Sequence, residues 1–230
     1  MGEAVRQMFT AIAQHYDMLN TMLSFGLHHY WRQRAVAISG IASGARLLDM
    51  CSGTADLALA FARHLGHHSQ VIAMDFCAAM LDRGYQKALQ QGIHLTCALA
   101  DAHHLPFGDA VFDAVSVAFG LRNVDSLATA LREMYRVLRP GGTALVLEFG
   151  QPHGVLFAPL YRFYAHTVLP RLGGWVSGHP EAYTYLPRTA AVFPAGALFV
   201  REMVAQDFTD VHAQALSGGI VYVYRAMRPL

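Results

Sequence analysis

Between Arg46 and about Glu148 the chain alternates short apolar runs with helical or loop segments, and this rhythm restricts the fold more than any other feature. The runs RLLDM, QVIAMD, HLTCALAD, FDAVSVAF and TALVLEF have the length of strands. Between them, FCAAMLDRGYQKALQQG reads as a helix ending at Gly92. SLATALREMYRVLRPGG reads as another: Leu127, Ala130, Leu131, Met134, Val137 and Leu138 make a helical stripe, and Pro140-Gly141 supply the stop. Strand–helix alternation of this kind builds an α/β fold, a parallel sheet with helices on both faces. Ligands of such sheets bind beyond the carboxyl ends of the strands, so functional side chains are expected just after each run.

Two segments flank this core. Residues 3 to 40 read as two helices broken near Ser24-Phe25-Gly26. Residues 151 to 195 begin PHGVLFAPLYRFYAHTVLPRLGGW, rich in aromatics and proline and poor in acids. A helix near 196–206 and two strand-like runs, DFTDVHAQAL and GGIVYVYRAM, complete the chain.

Hydrophobic residues make up 54% of the chain and charged residues 14%, a balance that fits either a dense α/β core or a protein that handles a greasy substrate or touches a membrane. No uncharged apolar run approaches the roughly 20 residues needed to span a bilayer. The start, MGEAVRQMFTAIAQHYD, lacks the parts of a signal peptide, so a cytoplasmic location is expected, at most resting on a membrane surface. Three cysteines without a C-x-x-C pair argue against a disulfide framework or a zinc site. A formal charge of +1 with no basic run excludes nucleic acid as the expected partner. Thirteen histidines, among them His64, His67, His68 and the His103-His104 pair, read as polar helix ends and loops, and no metal is expected.

The chemistry concentrates at strand ends. Asp49 closes the first run, and the turn CSGTA opens a helix; glycine at 53 lets a backbone approach a ligand closely. Thr54 lies in the same turn. Asp75 ends the second run, where an acid suits the hydroxyls of a ribose. Asp101 follows the third and suits an exocyclic amine, with the Ala102 backbone N–H beside it. Each acid alone could be a helix cap. Three at three successive strand ends describe an adenosine pocket. With no phosphate-cradling glycine series, S-adenosylmethionine is favoured over NAD.

Beyond these residues, the chain resembles class I methyltransferases and, more closely, the UbiE/MenG/COQ5 family that C-methylates quinone precursors. YDMLNTMLSFGLHHYW (16–31) looks like the family's first signature. DAHHLPFGDAVFDAVSVAFGLRNV (101–124) is similar to its central block and LREMYRVLRPGGTALVLEF (131–149) to its second signature. VLP, EAYTYL, the Phe-Pro at 193–194 and the late GGIV follow the family order. The resemblance implies a doubly wound, Rossmann-like sheet, mostly parallel with an antiparallel last strand, in a single domain over 1–230. Residues 1–40 would then form a helical lid, 45–150 the cofactor-binding core, 151–195 a substrate-side insertion, and 196–230 the closing helix and strands. It implies methyl transfer from S-adenosylmethionine to a ring carbon of a reduced polyprenyl quinone: a demethylmenaquinol, a methoxybenzoquinol, or both. Arg122 and Asn123, after the fourth run, would stabilise and orient the ionising quinol oxygen, and Tyr16 would reach the ring or donor from the lid. Arg122 is too basic to be the direct base; a water, Asp17 or His28 would take the proton. His28 and Trp31 otherwise read as helix packing. The run LYRFYAHTVL reads equally as core, as a prenyl-chain groove or as a membrane-facing lid. The oligomeric state stays open, a homodimer included.

The chain departs from the family pattern at Cys51, Ser52 and Ala55, where the family loop usually carries glycines, and at Ala118 and Gly150. The small size of Cys51 and Ala55 preserves backbone access if their φ is one an L-residue tolerates. The altered loop motivates one alternative, a non-catalytic S-adenosylmethionine-binding scaffold of a quinone pathway; a methyltransferase for another small aromatic is a second.

Overall fold

The computed structural model describes residues 2–152, 164, 167 and 180–230. The LYRFYAHTVL run, apart from Tyr164 and Thr167, and the VLP element lie outside the described residues.

The N-terminal segment holds three helices rather than the expected two: α1 (Glu3–Ile12), α2 (Tyr16–Leu23) and α3 (Leu27–Ile38). The break at Ser24-Phe25-Gly26 is where the sequence puts it, with Phe25 and Gly26 at φ 51° and 74°. The additional break at 13–15 contains neither glycine nor proline, so its cause is tertiary. Ala13 packs on Cys77 and Met80, whereas Ile12, its neighbour, joins Leu19 and Leu23 in a separate cluster. One straight helix could not direct both residues to their partners.

The core alternates as expected: β1 (Arg46–Met50), α4 (Asp56–Leu65), β2 (Gln70–Asp75), α5 (Ala78–Gln90), β3 (Thr96–Leu99), β4 (Phe112–Ala118), α6 (Leu127–Val137) and β5 (Leu138–Phe149). Then come α7 (Pro180–Val192), α8 (Ala197–Val204), β6 (Thr209–Leu216) and β7 (Val221–Met227). Helix α6 stops at Val137, three residues before Pro140-Gly141, and β5 begins at once. Arg228 holds this junction, donating from Nη1 to the carbonyls of Tyr135, Arg136 and Leu138 at 3.2, 3.1 and 2.6 Å. The helix's orphan carbonyls thus find a cation from the far end of the chain.

The strands form one seven-stranded sheet in the order β3-β2-β1-β4-β5-β7-β6. Its core pairs are parallel, and β7 runs antiparallel to both β5 and β6. The antiparallel last strand is therefore as expected. Side chains alternate between two apolar layers. Leu47, Leu145 and Leu147 face one with Phe61; Leu48, Ala144 and Val146 face the other with Phe112 and Met134. The order reverses between β1 and β4, which opens a crevice beyond their carboxyl ends.

Candidate cofactor and active site

Beyond β1, β2 and β4 lies a cavity whose lining includes Tyr16, Asp49, Gly53, Thr54, Asp75 and Asn123. Six of the nine residues singled out from sequence thus meet in one place. Asp101, Ala102 and Arg122 are not among the described residues that line it.

The loop after β1 is built on left-handed backbone. Cys51, Gly53 and Ala55 sit at φ 50°, 56° and 62°. Cys51 and Ala55 thus keep the left-handed conformation that glycine takes freely, inside the small region that an L-residue tolerates, at a cost of about 1–2 kcal/mol each. Their Cβ atoms are housed by glycines opposite. A Cβ on Gly120 would come within 2.3 Å of Cys51 Cβ, and one on Gly84 within 2.7 Å of Ala55 Cβ. At Gly150, a Cβ would meet the Tyr222 ring at 2.5 Å, which accounts for glycine there.

Asp49 is buried and accepts from Ser52 Oγ and Ser116 Oγ, both at 2.6 Å. Burial pushes its carboxyl up to about 6 against those two hydrogen bonds. Asp75 accepts the Gly53 N–H at 2.8 Å and the Cys77 N–H at 2.9 Å, so it fixes the loop and the start of α5 together. Burial raises it to about 6 as well. Asp101 Oδ1 accepts from the His103 backbone N–H at 2.9 Å and faces His103 Nδ1 at 2.7 Å. The Ser126 N–H donates to His103 Nε2 at 3.1 Å, so the ring proton sits on Nδ1 and points at the carboxylate. Burial pushes Asp101 up, but these His103 bonds outweigh it and hold the carboxyl below its usual range.

Asn123 and Arg122 share a single turn of 3₁₀ helix, Leu121–Asn123. Asn123 Nδ2 donates to the Phe119 carbonyl at 3.3 Å, while its buried Oδ1 finds no partner among the described residues. The Arg122 guanidinium points elsewhere: Nη1 pairs with Glu148 Oε1 at 3.0 Å and donates to the Phe119 carbonyl, and the group lies 5.1 Å from the Phe149 ring centroid.

A polar lattice fastens the N-terminal helices to the loop. Thr54 Oγ1 donates to Asp17 Oδ1 at 2.5 Å. Lys87 Nζ lies 3.0 Å from Asp17 Oδ2, 3.0 Å from Thr54 Oγ1 and 2.6 Å from Asp56 Oδ1. Arg32 reaches Asp56 at 3.6 Å and His28 Nδ1 at 2.6 Å. Burial, then the Arg32 charge, lowers His28 to about 4, so the ring is neutral. Trp31 is a packing residue that also donates to Ser217 Oγ at 2.9 Å. Sequence reasoning missed Lys87, Arg32 and Glu148. Only Glu148 left a legible signal: like Asp49 and Asp75, it is an acid ending an apolar run.

The model of the ubiE/COQ5 methyltransferase family matches residues 1–228. A protein of Bdellovibrio bacteriovorus named ubiquinone/menaquinone biosynthesis C-methyltransferase is 42% identical over 224 residues, covering 97% of this chain and 95% of its own. A Pseudomonas paraeruginosa protein of the same name is 38% identical, over 99% and 90%. Among solved structures, a Thermotoga maritima S-adenosylmethionine-dependent methyltransferase superposes with TM-score 0.66 over 96% of this chain and 99% of its own, at 16% identity. A Haemonchus contortus phosphoethanolamine N-methyltransferase in complex with S-adenosyl-L-methionine gives 0.63 over 93% and 60%, also at 16%. At such identities the likeness concerns the fold.

Proposed function

The chain belongs to the ubiE/COQ5 methyltransferase family, and on that premise we propose that it transfers a methyl group from S-adenosylmethionine to a ring carbon of a reduced polyprenyl quinone. The observation that carries this reading is the shared cavity, in which the acids of the first two strand ends meet Tyr16 of the N-terminal helices and Asn123 of the FGLRNV turn.

The residues present fit the methyl donor. A Cβ added to Gly53 would meet only Met80 Cε at 3.7 Å, so the loop backbone is open to a close ligand. Each Asp75 oxygen holds one backbone N–H, and a carboxylate has lone pairs left for two ribose hydroxyls. Asp101 and the Ala102 N–H would read the adenine edge, and Asp49 and Thr54 would steady the loop around the methionine part. When bound, the donor supplies an electrophilic methyl on a cationic sulfur.

A ring carbon becomes nucleophilic enough as the neighbouring hydroxyl ionises. Asn123 Oδ1, a buried acceptor without a partner among the described residues, would take the quinol O–H and fix the ring in line with the methyl. Tyr16 would hold the ring from the lid side, and Arg122, paired with Glu148 outside the cavity lining, would act through the turn that carries Asn123. Of the three expected proton acceptors, Asp17 is bound to Thr54 and Lys87, and His28 to Arg32 and Thr21. We therefore assign the proton to water. The ring carbon would accept the methyl that the donor supplies, with the neutral thioether as leaving group. As aromaticity returns, the ring carbon's proton would replace the one lost from oxygen, so that one net proton reaches solvent.

No described helix is long and apolar enough to cross a membrane. A position at the membrane surface is supported by five large apolar side chains exposed on α2, the turn after it and the start of α3: Met18, Met22, Phe25, Leu27 and Tyr30.

Purified protein given S-adenosylmethionine and either a reduced short-chain demethylnaphthoquinone or a reduced methoxybenzoquinone tests the function and identifies the ring. The expected result is one added methyl per turnover with at least one of them. Donor binding without product from either would leave the scaffold reading standing.

A further inference from the structure

Glu148, at the end of β5, is fully buried and belongs to none of the groups assigned above. Its Oε1 accepts from Arg122 Nη1 at 3.0 Å and from the Phe149 backbone N–H at 2.9 Å; its Oε2 accepts from the Arg122 backbone N–H at 3.3 Å. A single carboxylate thus grips both the side chain and the backbone of Arg122. Through that backbone it holds the turn that delivers Asn123 to the cavity.

The pair also has an electrostatic consequence. The Arg122 side chain is 5% exposed, so without Glu148 a desolvated guanidinium charge would stand beside the cavity. The proposed donor carries a positive sulfonium, whereas the product left after transfer is a neutral thioether. An uncompensated guanidinium would repel the first and not the second. The pair lies against the cavity wall, since Arg122 Nη1 donates to the carbonyl of Phe119, which lines the cavity beside Gly120 and Asn123. The Cys51 thiol is pushed up by burial first and then by the negative charges of Asp75, Asp49, Asp101 and Glu148.

We propose that Glu148 is a positioning residue that holds the Arg122–Asn123 turn and, by cancelling the Arg122 charge, lets the site favour the cationic methyl donor over its neutral thioether product. This inference rests on the proposed function.

Calorimetric titration of S-adenosylmethionine and S-adenosylhomocysteine into the full chain tests it. Glu148→Gln keeps the shape and removes the charge, and should raise the ratio of donor Kd to product Kd about tenfold, the order expected for one unscreened charge beside the site at an effective dielectric near 20. Arg122→Gln should move the ratio the opposite way, and the double variant should return it to within about twofold of the starting value. Arg122→Gln also provides a reading if Glu148→Gln does not fold. Equal weakening of both ligands in Glu148→Gln, or an unmoved ratio in Arg122→Gln, would overturn the inference and leave the function intact. An unaltered chain that binds neither ligand would instead overturn the functional reading itself.

Discussion

Cys51 and Ala55 show how a loop can keep its backbone after losing the residue type suited to it. Both occupy left-handed φ, and in both cases the added side chain is accommodated by a glycine on a neighbouring element. Gly120 itself sits at φ −103°, which any residue tolerates, so it is small chiefly to make room for Cys51, with Val117 Cγ1 the next neighbour outside Cys51 that a Cβ would meet, at 3.2 Å. Gly120→Ala should therefore destabilise by about 1–3 kcal/mol in urea denaturation. Most of that loss should disappear in a Cys51→Gly background; additive effects would show the two positions to be independent. Asp49 and Asp75 carry a second prediction. Their folded values near 6 exceed those of an unfolded carboxylate, about 4. The folded state thus holds protons that the unfolded chain has lost, and these groups cost stability as pH rises from about 4 to 6. Ribose hydroxyls need the ionised form of Asp75. Affinity for the methyl donor should accordingly fall as pH drops below about 6, and Asp75→Asn should bind weakly with a flatter pH profile.

At the scale of elements, the contact between the N-terminal helices and the core is a latch of alternating charges. Lys87 of α5 bridges Asp17 of α2, Thr54 of the loop and Asp56 of α4. Removing the cation leaves Asp17 with the Thr54 hydroxyl and Asp56 with Arg32 at 3.6 Å, two carboxylates less well compensated in a largely buried setting. Lys87→Met should cost about 2 kcal/mol, between the values for exposed and buried pairs, and raise amide exchange in α1 and α2 first. Uniform exchange throughout the sheet would contradict the latch. The neutral His28 adds a pH dependence of opposite sign to that of the two aspartates. Its folded value near 4 lies below the unfolded one near 6.5, so its contribution is present above 6.5 and lost as pH falls toward 4. Protection of α2 and α3 should decline over that window. The latch could not be read from the sequence. Lys87 lies in an ordinary amphipathic helix, and only the fold brings it to Asp17.

For the molecule as a whole, legibility followed how local each cause was. The βα rhythm of residues 46–149 is a local pattern, and its strands and helices appear in the expected order, although β5 begins at Leu138 rather than at Thr143. The break at 13–15 and the early end of α6 are imposed by partners far along the chain, the Cys77–Met80 surface and Arg228, so local reading missed them. The site divides in the same way. Asp49, Gly53, Thr54 and Asp75 follow from the rule that ligands bind at strand ends, and the family signatures add Tyr16 and Asn123. The partnership of Arg122 with Glu148 needed the register of β4 beside β5. The whole assembly makes one chemical claim, that a methyl group passes to carbon once a quinol ring is held at the end of the sheet. Single-turnover reaction with S-adenosylmethionine carrying a ¹³C-methyl group and a chemically reduced short-chain demethylmenaquinone, followed by NMR of the product, tests that claim most directly. A new ring-carbon methyl resonance should form with the reduced quinone and not with the oxidised one. A methyl found on oxygen, or a bound donor that never gives up its label, would contradict the claim.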